Sequence, residues 1–363
     1  MRPGTAAPVL SRRELNRALL ARQHLLAPAT AGVFEVVRHL FGLQAQAPMP
    51  PYYALRARLA SFSPGSLADL IVDRAVVRAT TMRGTIHLLA AEDYRLIRPL
   101  LQPVLDRLLV VNRPVDGLDL AAVTAAGASL LDAAPMTAKD LGAALARDWP
   151  GHEPGTLSMT VAFREPLVQV PPRGLWGRSG PPAFVTARSW LGQPLGAADP
   201  AAVVLRYLAA YGPASVRDLQ SWAGLTRLGP VVEGLRDDLV AFRDENGVEL
   251  FDRPDAPRPG GDVPAPPRLL ADFDSILLGH ADRTRIISDA HRRRVFTING
   301  QIRSTFTVDG FVHGIWRLQK ATLTVHPYSP VPAAARRALA AEAGRLLEFA
   351  GVPGGTVVFA DPS

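Results

Sequence analysis

The chain contains no cysteine. Structural disulfides, thiolate zinc sites and iron–sulfur clusters are excluded together by that absence. Its eight histidines show no His-Glu-x-x-His spacing, so neither a metal nor another cofactor is expected. No run approaches the ~20 apolar residues that cross a bilayer. The stretch from Met1 to Glu14 lacks an apolar core of signal-peptide length, being interrupted at Arg12, Arg13 and Glu14. No membrane partner is expected, and a cytoplasmic location is. Lysine is almost missing as well. Only Lys139 and Lys320 occur, so 38 of the 40 basic residues are arginines.

At 363 residues with 48% hydrophobic and 20% charged content, the chain can build two or more globular domains, each with its own core. Its formal charge of +7 and pI near 10.3 point to a polyanionic partner. Arginine suits that partner because its planar fork grips a phosphate through two parallel hydrogen bonds, where lysine offers a point charge. A basic soluble enzyme without a nucleic-acid partner has the same composition.

An internal repeat organises the middle of the chain. Pro135-Met136-Thr137-Ala138-Lys139-Asp140-Leu141 matches Pro213-Ala214-Ser215-Val216-Arg217-Asp218-Leu219 at an offset of 78 residues. An alanine-rich helical segment precedes each copy, Ala121 to Ala133 and Ala201 to Tyr211. Thr137 and Ser215 are N-cap types, with Asp140 and Asp218 placed to favour the dipole of the helix that follows. Further helix-length segments are Ser158 to Val170 and Leu228 to Leu239. A hairpin ends each copy: Arg173 to Gly180 leads into a β-rich Ala183 to Thr186, and Val240 to Phe251 turns at Asn246-Gly247. Three helices closed by a hairpin describe a winged helix-turn-helix.

Prolines and glycines between Arg253 and Arg268 mark a linker, after which the pattern becomes β-rich. Val295-Phe296-Thr297-Ile298 is expected to turn at Asn299-Gly300 into Gln301 to Val308, and Asp309-Gly310 to turn into Phe311 to Leu318. Ala321 to Val325, an amphipathic helix over Pro332 to Ala350 and a strand at Thr356 to Phe359 follow. Between Arg283 and Arg303 stand six arginines, Arg283, Arg285, Arg292, Arg293, Arg294 and Arg303, against one acid, Asp289. With His291 they place a basic cluster at a hairpin tip or its approach, a candidate minor-groove or phosphate probe. A solvated charged loop is the plainer alternative. Arg173 and Arg178 around Trp176 form a second candidate contact, although tryptophan beside glycine often packs under a turn. Arg317 and Trp316 fit a strand end with a structural role.

The remaining signal is Gln44-Ala45-Gln46. An apolar helical pattern over Ala31 to Leu43 meets Pro48, Pro50 and Pro51, which forbid its continuation. Residues two apart point oppositely on a helix but the same way on extended chain, so a breaking helix end could aim both amides at one small target. Two solvated glutamines at a helix terminus is the simpler reading of these residues alone. Their company changes it. Gly42-Leu43-Gln44-Ala45-Gln46 is followed by Arg83-Gly84-Thr85-Ile86-His87-Leu88-Leu89, then by Ala281-Asp282-Arg283-Thr284-Arg285 and Val308-Asp309-Gly310-Phe311-Val312. This order resembles the AlkZ-like winged-helix family of DNA glycosylases over nearly the whole chain.

The resemblance implies that Gln44 and Gln46 match a catalytic Gln-apolar-Gln motif, with Arg83, Thr85 and His87 nearby. By itself, His87 in an apolar strand reads as a satisfied core histidine, and no general-base role is assigned to it. The resemblance also carries an N-terminal third copy, with helices Ser11 to Leu26, Ala31 to Leu43 and Pro64 to Asp73 and a wing from Val77 to Leu89. The expected architecture is α+β: tandem winged helix-turn-helix motifs with a C-terminal β-rich domain. Its parts are residues 1–115, 116–195 and 196–252, a linker at 253–267, and the C-terminal domain at 268–363.

The expected partner is double-stranded DNA containing alkylated guanine, met by a monomer in the bacterial nucleoid. A purine alkylated at N7 is cationic and already an activated leaving group, so two neutral amides could place a water and steady an oxocarbenium-like sugar. Some members of the family carry a Gln-apolar-Asp pair, with aspartate where Gln46 stands, and the difference suggests restriction here to cationic lesions. Relatives that remove bulky guanine adducts or crosslinks of natural-product alkylating agents make self-resistance a further expectation. A non-catalytic winged-helix regulator is the rival reading, though no long dimerisation helix is visible. A nuclease ranks last, because it would need clustered carboxylates for metal ions.

Overall fold

Thr137 caps the Ala138–Leu145 helix through the backbone N–H of Asp140. Ser215 closes a reciprocal capping box with Asp218 ahead of Val216–Ala223. Both helix starts are those expected from the repeat. The structure, a computed structural model, describes residues 7–362. The first copy then runs Leu120–Ala133, Ala138–Leu145, Pro154–Arg164 and a hairpin of Leu167–Val170 with Ala183–Thr186. The second runs Pro200–Tyr211, Val216–Ala223, Gly229–Gly234 and a hairpin of Val240–Asp244 with Glu249–Asp252. Ahead of both lie the helices Arg12–Arg22, Val33–Leu40, Pro50–Arg56 and Pro64–Val72 and the hairpin Val76–Thr80 with Ile86–Ala90.

The N-terminal hairpin and the first repeat hairpin join edge to edge, with Arg78 opposite Gln169 and Ala79 opposite Val168. The result is one antiparallel six-stranded sheet, in the order 43–44, 86–90, 76–80, 167–170, 183–186, 136–137. A second sheet pairs Val9–Leu10 in parallel with Val240–Asp244. The third has five strands, Arg268–Leu270, Thr305–Val308, Phe311–Gln319, Thr322–Pro327 and Thr356–Phe359, with the last pairing in parallel. The Ala333–Phe349 helix covers it, burying Leu339, Ala343, Leu346 and Leu347. The fold is α+β.

Several expected elements come out differently. The segment 158–170 is not one helix: Glu165 is extended ahead of Pro166, and the alternating residues after it become a strand. Over 228–239 the helix stops at Gly234 and continues only as a short 3₁₀ turn, Arg236–Asp238. Residues 253–267 contain no regular element, yet they are held in place. Arg17 Nε donates to Val263 O at 2.6 Å, and Arg258 pairs with Asp252 at 2.6 Å. His291 to Arg294 lie on a helix, Asp289–Val295, and not on the approach to a strand. Ser288 caps it, Asp289 occupies its first turn and the three arginines its last, all favourable to the helix dipole. The expected Val295 to Ile298 strand shrinks to one bridge between Phe296 and Ile302.

Buried arginines tie these parts together. Arg22 meets Asp252 through two hydrogen bonds of 2.6 and 2.7 Å, and Arg58 meets Asp274 at 2.7 and 2.9 Å. Both pairs are fully buried, so breaking one leaves an uncompensated charge in the core. Asp274→Ala is expected to lower the unfolding free energy by about 3–5 kcal/mol. Urea denaturation would read this, and a loss below about 1 kcal/mol would mean that Arg58 finds water instead.

Candidate active site

Val33–Leu40 ends when Phe41 turns left-handed (φ +52°) and Gly42 follows at φ +114°. The chain therefore leaves the helix before the glutamines, and Leu43–Gln44 becomes the edge strand beside Ile86–Ala90. On this extended backbone Leu43 and Ala45 are buried in the core with Leu55 and Leu88. Gln44 and Gln46 share the opposite face. Gln44 is buried and Gln46 exposed.

Each carboxamide is oriented by an unambiguous donor. Gln44 Oε1 accepts from Arg83 Nη2 at 3.2 Å, and Gln46 Oε1 accepts from the Ile86 backbone N–H at 3.1 Å. An N–H or guanidinium can only donate, so both amide oxygens are tied to the protein and both NH₂ groups remain available. Between them, Ala45 N donates to Ile86 O at 2.7 Å and Ala45 O accepts from Arg78 Nη2 at 2.8 Å. The motif is thus clamped on both sides.

His87 stands directly across the strand pair from Gln44. Its Nδ1 lies 3.0 Å from Thr81 Oγ1 and 3.1 Å from Thr85 O. A carbonyl only accepts, so Nδ1 carries the proton and Nε2 keeps its lone pair. Burial, helped by the charge of Arg83, pushes His87 down to about 3; the ring is neutral at physiological pH. Thr85 itself donates to Met82 O at 3.1 Å.

Arg83 is the junction. It sits on the 3₁₀ turn Met82–Gly84 at φ +57°, and its Nη1 donates to Trp222 O at the C-terminal end of Val216–Ala223. A helix C-terminus favours a cation. The next residue, Gly224, takes φ +80°, and a Cβ there would lie 3.3 Å from Arg83 Cα and N. Only glycine lets the two backbones approach so closely. Burial lowers Arg83, and so does the charge of nearby Arg283. Arg283 lies 5.1 Å over the Phe296 ring with its Nε buried and unpartnered.

Arg78, Arg83 and Arg283 make no ion pair with a carboxylate among the described residues, nor does the buried Arg98, whereas Arg17, Arg22 and Arg58 each meet an aspartate. Isolated charge in a protein interior is costly. Arg83 is therefore an uncompensated cation beside Gln44, with the charge of Arg283 near it, whereas Arg78 stands opposite Leu88 and reaches Ala45 O from the other face of the sheet.

The other sequence candidates separate. Arg285 is withdrawn from the nucleic-acid set: it is buried, with Nη1 donating to Pro213 O at 2.7 Å. His291 Nδ1 lies 3.0 Å from Val312 O, and Arg294 sits 3.8 Å over the Tyr328 ring. Arg292 pairs loosely with Asp289 at 3.4 Å, while Arg293 and Arg303 are exposed. Trp176 packs with Tyr52, Tyr53 and Phe349, Arg173 donates to Gly180 O, and Arg178 is exposed. Arg78 and the Trp222–Gly224 approach were not anticipated. A charged residue within the apolar strand Val76-Val77-Arg78-Ala79 was the available hint for the first; nothing local marked the second.

The buried imidazoles carry a stability consequence. His24 is likewise pushed down, to about 4, mainly by burial. Between the ordinary value of 6.5 and these depressed values the unfolded chain binds more protons than the folded one. Stability is therefore present in full above pH 6.5 and lost on acidification toward pH 4 and then 3, by up to about 1.4 kcal/mol per histidine per pH unit. The thermal midpoint should drop between pH 7 and 5, with a shallower slope in His24→Gln.

Residues 37–349 match the family model described as DNA glycosylase AlkZ-like. An interstrand DNA cross-link repair glycosylase of Streptomyces sahachiroi is 26% identical over 361 residues, which cover 92% of this chain and 95% of that protein. The solved structure of Streptomyces sahachiroi DNA glycosylase AlkZ shares the fold. It has a TM-score of 0.81 at 23% identity and covers 97% of this chain and 100% of that one.

Proposed function

Because the chain belongs to the AlkZ-like family of DNA glycosylases, we propose that it hydrolyses the N-glycosidic bond of guanines alkylated at N7 in double-stranded DNA. Bulky adducts and crosslinks of natural-product alkylating agents fall within that class, in repair or self-resistance. The observation that carries the reading is Gln44 and Gln46 on one face of an extended edge segment, with Arg83, which makes no ion pair among the described residues, bonded to Gln44. The cation supplies what a phosphate backbone lacks, and it cannot act as a base.

The chemistry follows from that inventory. Gln44 Oε1 already accepts from a cation, which lowers its basicity, and among the described residues no carboxylate hydrogen-bonds to either amide. Expulsion of the base must therefore be driven by the substrate's own charge. The C1′–N9 bond breaks with its electron pair moving into the cationic ring, and neutral N7-alkylguanine departs. The sugar is left as an oxocarbenium ion. Each amide oxygen keeps one lone pair for a proton of water. That is enough to hold the water as its oxygen bonds to C1′ and it releases a proton to solvent.

Around this centre we read the three helix–hairpin units as tandem winged helices. They span residues 1–115, 116–195 and 196–252, with 268–363 packed on them, and act as a monomer. Ile298, wholly exposed between Phe296 and Ile302, tips the element that follows Arg292, Arg293 and Arg294. An apolar tip backed by arginines suits a groove of the duplex. The test is a duplex with one N7-methylguanine, incubated with the protein and treated with alkali. Strand breaks at the lesion above the spontaneous rate are expected, and their absence would refute the reading.

A further inference from the structure

A cavity of about 320 Å³ opens between the helix Gln102–Asn112 and the loop that follows Val216–Ala223, with Arg107, Thr226 and Arg227 on its wall. Nothing in the mechanism above uses it. We propose that Arg107 and Arg227 together hold one phosphodiester of the lesion-bearing strand, and that this phosphate fixes how far the strand runs past Gln44. The proposal rests on the glycosylase reading and adds a strand-positioning site to it.

Charge comes first. Both arginines are exposed, and no acid stands among the residues lining the cavity. Neither arginine makes an ion pair among the described residues. Asp106, beside Arg107 in the chain, is taken by Arg164 at 3.2 Å. Arg107 Nη2 donates to Gly224 O at 3.4 Å, which leaves the rest of its fork unused. One fork satisfies a carboxylate. Two forks with the Thr226 hydroxyl suit a phosphate, whose oxygens lie in more than one plane.

The loop is held in one shape. Leu228 N donates to Gln220 Oε1 at 2.9 Å, and Arg227 takes φ +61°, left-handed backbone that an arginine rarely adopts. Such strain persists where the surroundings fix it, commonly at ligand clamps.

Both walls of the cavity rest on the Arg83 turn. A Cβ on Gly224 would lie 3.3 Å from Arg83 Cα, and one on Gly84 would meet Leu108 of the Gln102–Asn112 helix at 2.5 Å. Arg83 in turn reaches Gln44, so about one arginine side chain separates the cavity from the reacting centre. Phosphates of one strand advance about 3.4 Å each along the duplex axis, which puts the held phosphate roughly two to four nucleotides from the lesion. Holding it there sets where C1′ stops against the two amides.

The probe is a duplex with one N7-methylguanine in which an uncharged methylphosphonate replaces a single phosphate of the lesion strand, moved one step at a time. Binding by the full chain is compared with Arg107→Ala and Arg227→Ala, exposed positions outside the glutamine site. Wild type should lose about tenfold in affinity at one phosphate within that span. Each variant should bind the unmodified duplex about tenfold more weakly and become insensitive at that phosphate alone. The slope of log affinity against log salt should fall by about one in either variant, and by no more in the double variant, because both side chains serve one phosphate. Variants that bind like wild type would overturn the proposal. So would a uniform loss with every methylphosphonate still felt, the mark of a diffuse field. Inorganic phosphate that displaces the duplex at matched ionic strength, with no sensitive position in the strand, would make this a free-anion site and overturn it as well. A mapped phosphate in a protein that releases no base would uphold the site and refute the glycosylase reading alone.

Discussion

Alanine at Gln44 or Gln46 is expected to slow release of N7-methylguanine by about two orders of magnitude, the usual cost of removing one preorganised polar group from a reacting centre. Affinity for the duplex should change little, because neither carboxamide carries charge and phosphate contacts dominate binding. The two variants should differ in stability. Gln46 is exposed, so Gln46→Ala should denature like the parent. Gln44 is buried and accepts from Arg83, so its loss deletes a charge-assisted bond of about 1.5–3 kcal/mol. The double variant should be no slower than the worse single one, since both amides hold the same water. Single-turnover kinetics with a gel-shift control would decide, and a double variant within a factor of two of wild type would remove both residues from the chemistry.

Replacing Arg83 by alanine is expected to be equally damaging to catalysis, for a different reason. Its guanidinium spans Gln44 Oε1 and Trp222 O, so one side chain orients an amide and anchors the adjoining helix. Lysine, a point charge, can serve only one of those acceptors and should restore little. Stability should respond far less than activity. The cost of a half-buried cation without an acid offsets much of what its two hydrogen bonds contribute, so Arg83→Ala should lose about a hundredfold in rate while its urea midpoint falls only slightly. That pattern marks a residue kept for function, and it contrasts with the large destabilisation expected on breaking Arg58–Asp274. If Arg83→Ala unfolded as readily as Asp274→Ala, the guanidinium would be a structural tie.

Much of the framework was legible along the chain. Caps at Thr137 and Ser215, the Asn246-Gly247 and Asp309-Gly310 turns and the Ala333–Phe349 helix all depend on contacts within a few residues, and local sequence encodes such contacts. The misreadings have two causes. Over 158–170 and 228–239 the apolar content was right, but proline and glycine cut the helices short. His291 to Arg294 looked like the approach to a strand because charge says little about backbone, whereas Ser288 and Asp289 are what begin a helix there.

The glutamine pair, the basic excess and the want of thiols could be read from residues alone, and they confined the chemistry to neutral groups and an anionic partner. Which arginines go unpaired could not. Arg22 and Arg58 find their aspartates 230 and 216 residues away, while Arg83 comes to rest beside Gln44 without one among the described residues. Charge neutralisation is settled by distance in space, and composition is blind to it. Folding alone turned a surplus of 38 similar side chains into a few structural ties and an uncompensated cation beside the amide of Gln44.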